Sequence, residues 1–167
     1  MSVNFSPIQF KQADFVPSFT EALREDGIDA SRINVEITEN VLSDDQEHII
    51  GCLTQLMALG MHVHLDDFGT GYSSLSQIGR LPIHAIKIDR SFVNALEVNA
   101  DRVELTRSII TMGHNMGLEI IAEGIETKGQ LETLRRLGAD YGQGYYLSRP
   151  HPAEVISAHM KPRMVSV

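Results

Sequence analysis

Apolar and polar positions along this chain follow two alternating periods. Short β-type segments read as strands at Ser2–Ser6, Asn34–Thr38, His62–Asp67, Ala85–Ile88, Glu119–Ala122 and Gly144–Leu147. Longer stretches with helical spacing lie between them. Phe15, Phe19, Ala22 and Leu23 fall at i, i+4, i+7 and i+8. Ile49, Ile50, Leu53, Leu56, Met57 and Leu59 trace a second stripe, Val103, Leu105, Ile109, Ile110 and Met116 a third, and Leu131, Leu134 and Leu137 a fourth. Gly60, Gly117 and Gly138 each follow such a stripe and precede a strand, which marks helix ends. Pro152 predicts the first turn of a last helix reaching Met160.

Strand then helix, repeated, means a parallel sheet covered by helices. An open doubly wound sheet and a closed (β/α) barrel both satisfy that pattern. No G-x-G-x-x-G follows the first strand and no P-loop occurs, so the nucleotide-fold signals are missing. The polar residues favour the barrel. Asn4, Glu36, Asp66 with Asp67, Lys87 with Asp89, Glu123 with Glu126, and Gln143 all fall at or beside strand ends, which in a barrel converge on one mouth. A complete barrel takes about 250 residues, roughly 31 per unit. The 167 residues here supply between five and six units, so two strands of a closed barrel are missing.

Composition then narrows the class. Hydrophobic residues make up 43% and charged residues 22%, a globular balance that excludes a disordered or collagen-like chain. One cysteine, Cys52, excludes an intrachain disulfide, sits in an apolar helical stripe and suits a reducing, cytoplasmic setting. No apolar run is long enough to span a membrane, and the first residues lack a signal-peptide pattern. The net charge of −8 argues against broad nucleic-acid binding but is compatible with carboxylates neutralised by divalent ions.

Residues two apart share a strand face, so Glu36 with Thr38, His62 and His64 with Asp66, and Lys87 with Asp89 each point one way. Carboxylates and a carboxamide are oxygen donors suited to Mg²⁺ or Mn²⁺. Adjacent Asp66 and Asp67 suit two ions about 3.5–4 Å apart, the spacing of two-metal phosphoester hydrolysis. A nearby lysine can hold an attacking water or a phosphate oxygen. The histidines show no zinc spacing, and no Ser-His-Asp arrangement emerges. Asp67-Phe68-Gly69-Thr70-Gly71-Tyr72-Ser73-Ser74-Leu75 reads as a tight loop suited to covering a substrate or passing a signal between subunits.

Six segments together carry a family resemblance. They are Val3-Asn4-Phe5-Ser6, Glu36-Ile37-Thr38-Glu39, Asp66 to Leu75, Lys87-Ile88-Asp89-Arg90-Ser91-Phe92, Ala122-Glu123-Gly124-Ile125-Glu126-Thr127 and Gln143-Gly144-Tyr145. In order and spacing they resemble the EAL domain family of bacterial cyclic-di-GMP phosphodiesterases, which open the cyclic dinucleotide to linear pGpG. The resemblance implies an α/β, TIM-type (β/α) barrel, here incomplete with about six parallel strands, over residues 1–160, and a tail at 161–167. It implies that Asn4, Glu36 and Asp66 bind a first ion. Asp66 would bridge to a second, with Asp67 and Glu123 beside it. Lys87 would orient the attacking water and Glu123 would act as general base. Asp89, Glu126 and Gln143 would support the site or hold substrate. Glu39 would anchor the signalling loop Phe68, Gly69, Thr70, Gly71 and Tyr72.

The family's Glu-Ala-Leu motif lies on a strand upstream of Val-Asn-x-Ser, so the chain resembles the C-terminal two-thirds of the domain. Glu21-Ala22-Leu23 matches the letters only, since it falls on a predicted helix after Asn4. The missing glutamate leaves a second reading open, a cyclic-di-GMP-binding or dimerisation module without turnover. An unrelated Mg²⁺-dependent barrel enzyme is a third. The implied partners are cyclic-di-GMP, a second copy through open barrel edges or the helices after the loop, and an upstream sensory or GGDEF-type domain in a longer parent. His64 occupies a position where the family usually has a small or aliphatic residue. It is expected to fill space and hydrogen-bond below Asp66 and not to bind metal.

Overall fold

A computed structural model describes residues 1–43, 45–71 and 75–160. The loop position Tyr72 and the tail 161–167 lie outside the described residues. Six strands, β1 (Ser2–Asn4), β2 (Asn34–Thr38), β3 (His62–Phe68), β4 (Ala85–Ile88), β5 (Glu119–Ala122) and β6 (Tyr141–Gly142), form one sheet in sequence order, and every neighbouring pair is parallel. Helices α1 (Pro7–Phe10), α2 (Phe15–Glu25), α3 (Gln46–Ala58), α4 (Leu75–Ile78), α5 (Arg90–Asn94), α6 (Ala100–Asn115), α7 (Lys128–Leu137) and α8 (Ala153–Met160) occur in the connections and after β6. This is the expected (β/α) arrangement. Among the described residues β1 and β6 do not pair, so the barrel wall is open.

Strand alternation separates the two faces. Val35, Ile37, Val63, Leu65, Ile86, Ile88, Ile120 and Ala122 belong to the hydrophobic core, and each is fully buried. The positions between them, Glu36, His64, Asp66 and Lys87, are also buried but polar. One face of the sheet thus drives folding by removing apolar area from water, while the other is left free for chemistry. Phe5, Phe10, Phe15 and Phe19 close the β1 end with edge-to-face ring contacts at centroid distances of 4.9–6.1 Å.

Three strands differ from the sequence reading, β3 only by running one residue further, to Phe68. The first strand stops at Asn4 because Ser6 caps α1, exchanging bonds with Gln9 in a capping box. Gly144–Leu147 is a turn and not a strand. The Leu147 and Ser148 amides both donate back to the Gly144 carbonyl, at 3.0 and 3.1 Å. Gly144 lies so close to the Ile125 backbone that a side chain there would overlap it. The ladder is carried instead by β6, whose flanks continue it through Asp140 N–H to Ile120 C=O at 3.0 Å and Gln143 N–H to Ala122 C=O at 2.8 Å. Glu21-Ala22-Leu23 lies on α2, where the Glu21 carboxylate pairs with Arg24 at 2.5 Å, away from the strand ends.

Candidate functional site

The strands deliver their polar residues to one end of the sheet. Asn4 is in register with Glu36, Glu36 with His64, and Thr38 with Asp66. At the centre of this face is Lys87. Its ammonium donates to Glu36 Oε2 at 2.9 Å, Asp66 Oδ1 at 2.9 Å and Glu123 Oε1 at 2.7 Å. Three strands and the residue after β5 therefore converge on one nitrogen whose side chain is 5% exposed. Burial alone would lower the lysine pKa, but hydrogen bonds to Glu123, Glu36 and Asp66 outweigh it and hold the ammonium above the usual range.

Asp66 and Asp67 reach the same mouth through a break in β3. Leu65 pairs with Ile86 but Phe68 with Ile88, so β3 carries one extra residue there. Asp67 sits at that bulge with φ of 53°, a left-handed conformation uncommon outside glycine. In a regular strand these neighbours would point to opposite faces. Here ligand oxygens of Asp66, Asp67 and Glu123 lie within 4.8 Å of one another, close enough to share a cation. Burial raises the Asp67 pKa, and the negative charges of Asp66 and Asp89 raise it further. Burial also raises that of Glu123, against the pull of Lys87. A divalent cation would relieve both. The donor set is all oxygen, and it already accommodates one positive charge at Lys87, so the residues fit a hard divalent cation.

Above this cluster opens a cleft of about 970 Å³ lined in part by Asp67, Thr70, Asp89, Glu123, Glu126 and Gln143. Gln143 Nε2 donates to Glu123 Oε1 at 2.6 Å, which aims that carboxylate. Asp89 also caps α5 by accepting from the Ser91 amide at 3.0 Å. Its pKa is lowered because those bonds outweigh burial. Glu126 is exposed on the cleft wall, while its amide is bound by Gln130 at 2.7 Å. Arg90 and Arg149 also line the cleft, the latter 4.6 Å from the Tyr145 ring centroid. The sequence reading gave these cations no role. The available signal was Arg90 next to Asp89 within one site segment and Arg149 four residues beyond Tyr145, which ends another.

The loop after β3 divides. Phe68 is the buried end of the strand. The Gly69 amide donates to Glu39 Oε1 at 2.7 Å, and Thr70 Oγ1 donates to the Asp67 carbonyl at 2.8 Å. Gly69 adopts φ of 95°, and a side chain there would meet the Phe92 ring at 2.5 Å. A side chain at Gly71 would meet Glu39 Oε2 at 2.7 Å. Glu39 is thus hydrogen-bonded to the loop at Gly69 and lies close against it at Gly71. His64 is buried, its pKa lowered first by burial, and its Nδ1 has no hydrogen-bond partner among the described residues. The expected hydrogen bond is not made at that nitrogen.

Comparison with known proteins places these features. The sequence model of the EAL domain matches residues 1–150. The chain is 41% identical over 158 residues to the bifunctional diguanylate cyclase/cyclic di-GMP phosphodiesterase MucR of Pseudomonas aeruginosa, covering 95% of this chain and 23% of that protein. Its fold matches the PaMucR phosphodiesterase in complex with c-di-GMP at a TM-score of 0.86 and 41% identity, over 93% of this chain and 63% of that one. It matches a manganese and cyclic-di-GMP complex of Klebsiella pneumoniae BlrP1 at 0.81 and 27%, over 89% and 38%. The chain thus spans about a quarter of the MucR sequence and under two-thirds of either solved chain.

Proposed function

The chain belongs to the EAL domain family, and from that premise we propose that it hydrolyses cyclic-di-GMP to linear pGpG with two divalent cations, Mg²⁺ or Mn²⁺. The observation that carries this reading is the convergence of Glu36, Asp66 and Glu123 on Lys87 beneath a cleft large enough for a dinucleotide. Asn4, Glu36 and Asp66 would hold the first ion. Asp66, Asp67 and Glu123 would hold the second. Bound there, the ions would neutralise phosphate charge and lower the pKa of a shared water.

The chain's own groups do the rest. Lys87 keeps its proton and donates to the attacking water, which fixes the line of attack. Glu123, aimed by Gln143, accepts the water's proton. Arg90 and Arg149 offer positive charge to the phosphates from the cleft wall, and Tyr145 offers a ring face to a base. Asp89 and Glu126 bound the opening and hold substrate from its rim. The Glu39 grip on Gly69 sets the loop beside Asp67. A cytoplasmic setting and an upstream sensory or GGDEF-type domain in a longer parent belong to the same reading.

One observation favours a second reading, binding without turnover. Asn4 lies on β1, whose outer edge is unpaired among the described residues, so the first ion's donor set is open on that side. Slow hydrolysis is expected from this chain alone. The test is chromatographic detection of pGpG after incubating the purified chain with cyclic-di-GMP and Mn²⁺. Product that disappears with Glu123→Ala supports hydrolysis. Saturable binding with no product in any cation supports the second reading.

A further inference from the structure

We propose that His64 is a positioning residue for Glu36, holding that carboxylate for its cation through a hydrogen bond, direct or through one water. This rests on the metal reading of the site. Asn4, Glu36, His64 and Ala85 form one continuous cross-strand row over β1 to β4. In-register neighbours on adjacent strands present their side chains on the same face, side by side. The imidazole therefore lies next to Glu36, and two residues before Asp66 on the same face of β3. Ala85, on its other side, leaves room in the row. His64 is 6% exposed and its Nδ1 is buried without a partner among the described residues. An apolar side chain would fill this place without leaving a polar atom unpaired, so the imidazole is explained by a bond the resting chain does not make.

Lys87 engages Glu36 through Oε2. When a cation takes over part of that role, Glu36 loses a donor and gains a strict geometric demand. A neighbouring N–H then orients the carboxylate, as groups behind metal ligands commonly do. His64 is not itself a ligand. It supports Glu36, whose place at the first ion comes from the proposed function; the cluster of Asp66, Asp67 and Glu123 close enough to share an ion contains neither residue.

The test is Mn²⁺ binding by calorimetry to the chelator-stripped chain and to His64→Leu, His64→Gln and Glu36→Gln. His64→Leu should weaken affinity about 10–100-fold, the usual cost of losing such a support. His64→Gln, which retains an N–H donor, should recover most of that loss. Equal affinity in His64→Leu and the unsubstituted chain overturns the proposal, as does a Gln variant no better than Leu. A measurement on the unsubstituted protein guards against misfolded variants. In ¹⁵N-histidine-labelled protein, Mg²⁺ should shift the His64 ring nitrogens and leave those of His114 unmoved, and unmoved His64 signals overturn the proposal. Failure of the underlying reading looks different: either the unsubstituted chain binds no Mn²⁺, or Glu36→Gln binds it unchanged.

Discussion

Lys87 is the residue on which the site's electrostatics turn. Three carboxylates surround an ammonium that is almost fully removed from water. Removing one member of such a group leaves buried charge uncompensated, at about 3–5 kcal/mol, against a total domain stability of only about 5–15 kcal/mol. Lys87→Met should therefore destabilise the chelator-treated protein by a large share of its stability in urea unfolding, and Mn²⁺ should return much of it. An unchanged midpoint in chelator would show that the carboxylates tolerate one another without the lysine. The residue types and their order were readable from the chain, because alternation alone sends Glu36, His64, Asp66 and Lys87 to one face. The bulge was not. Nothing in Asp66-Asp67 says that an extra residue will swing the second aspartate to the side of the first, since that depends on how β3 pairs with β4.

At the scale of elements, strands flanked by helical stripes were legible and strand ends were not. Asn34–Thr38, Ala85–Ile88 and Glu119–Ala122 fall where the pattern puts them. Gly144–Leu147 has strand-like composition, but contact with the Ile125 backbone forces a turn, and the short β6 takes the pairing. Between β3 and β4, at the end opposite the site, the His62 and His84 rings stack at 4.4 Å, and His84 Nδ1 accepts from the Val63 amide at 3.1 Å. Burial is the main cause that lowers the His84 pKa, the His62 charge adds to it, and Glu119 opposes both. The folded state thus prefers neutral His84. The stability it provides is present above the ordinary histidine value of about 6.5 and is lost as pH falls toward the depressed folded value. Unfolding free energy between pH 7.5 and 5 should decline more steeply in the unsubstituted protein than in His84→Gln. Parallel curves would remove His84 from the account.

For the whole molecule, the family resemblance and the (β/α) order follow from six co-ordered motifs. Among the described residues β1 and β6 remain the two edges of the sheet. Edge strand β6 contains exposed Tyr141 and is followed by exposed Tyr145 and Leu147, and edge strand β1 is flanked in sequence by exposed Met1 and Ile8. Unpaired edges beside apolar side chains favour association, so light scattering should find the purified chain self-associated, with slowed amide exchange at Ser2–Asn4 and Tyr141–Gly142. A stable monomer with fast exchange at both edges would contradict this. Catalysis at this site depends most directly on where cations bind. Anomalous diffraction at the manganese edge, from crystals grown with Mn²⁺ and cyclic-di-GMP, should show one peak among Asn4, Glu36 and Asp66 and another among Asp66, Asp67 and Glu123, with a phosphate against both. Manganese bound elsewhere, or a dinucleotide seated in the cleft with Lys87 still bridging three carboxylates and no ion beside them, would contradict it.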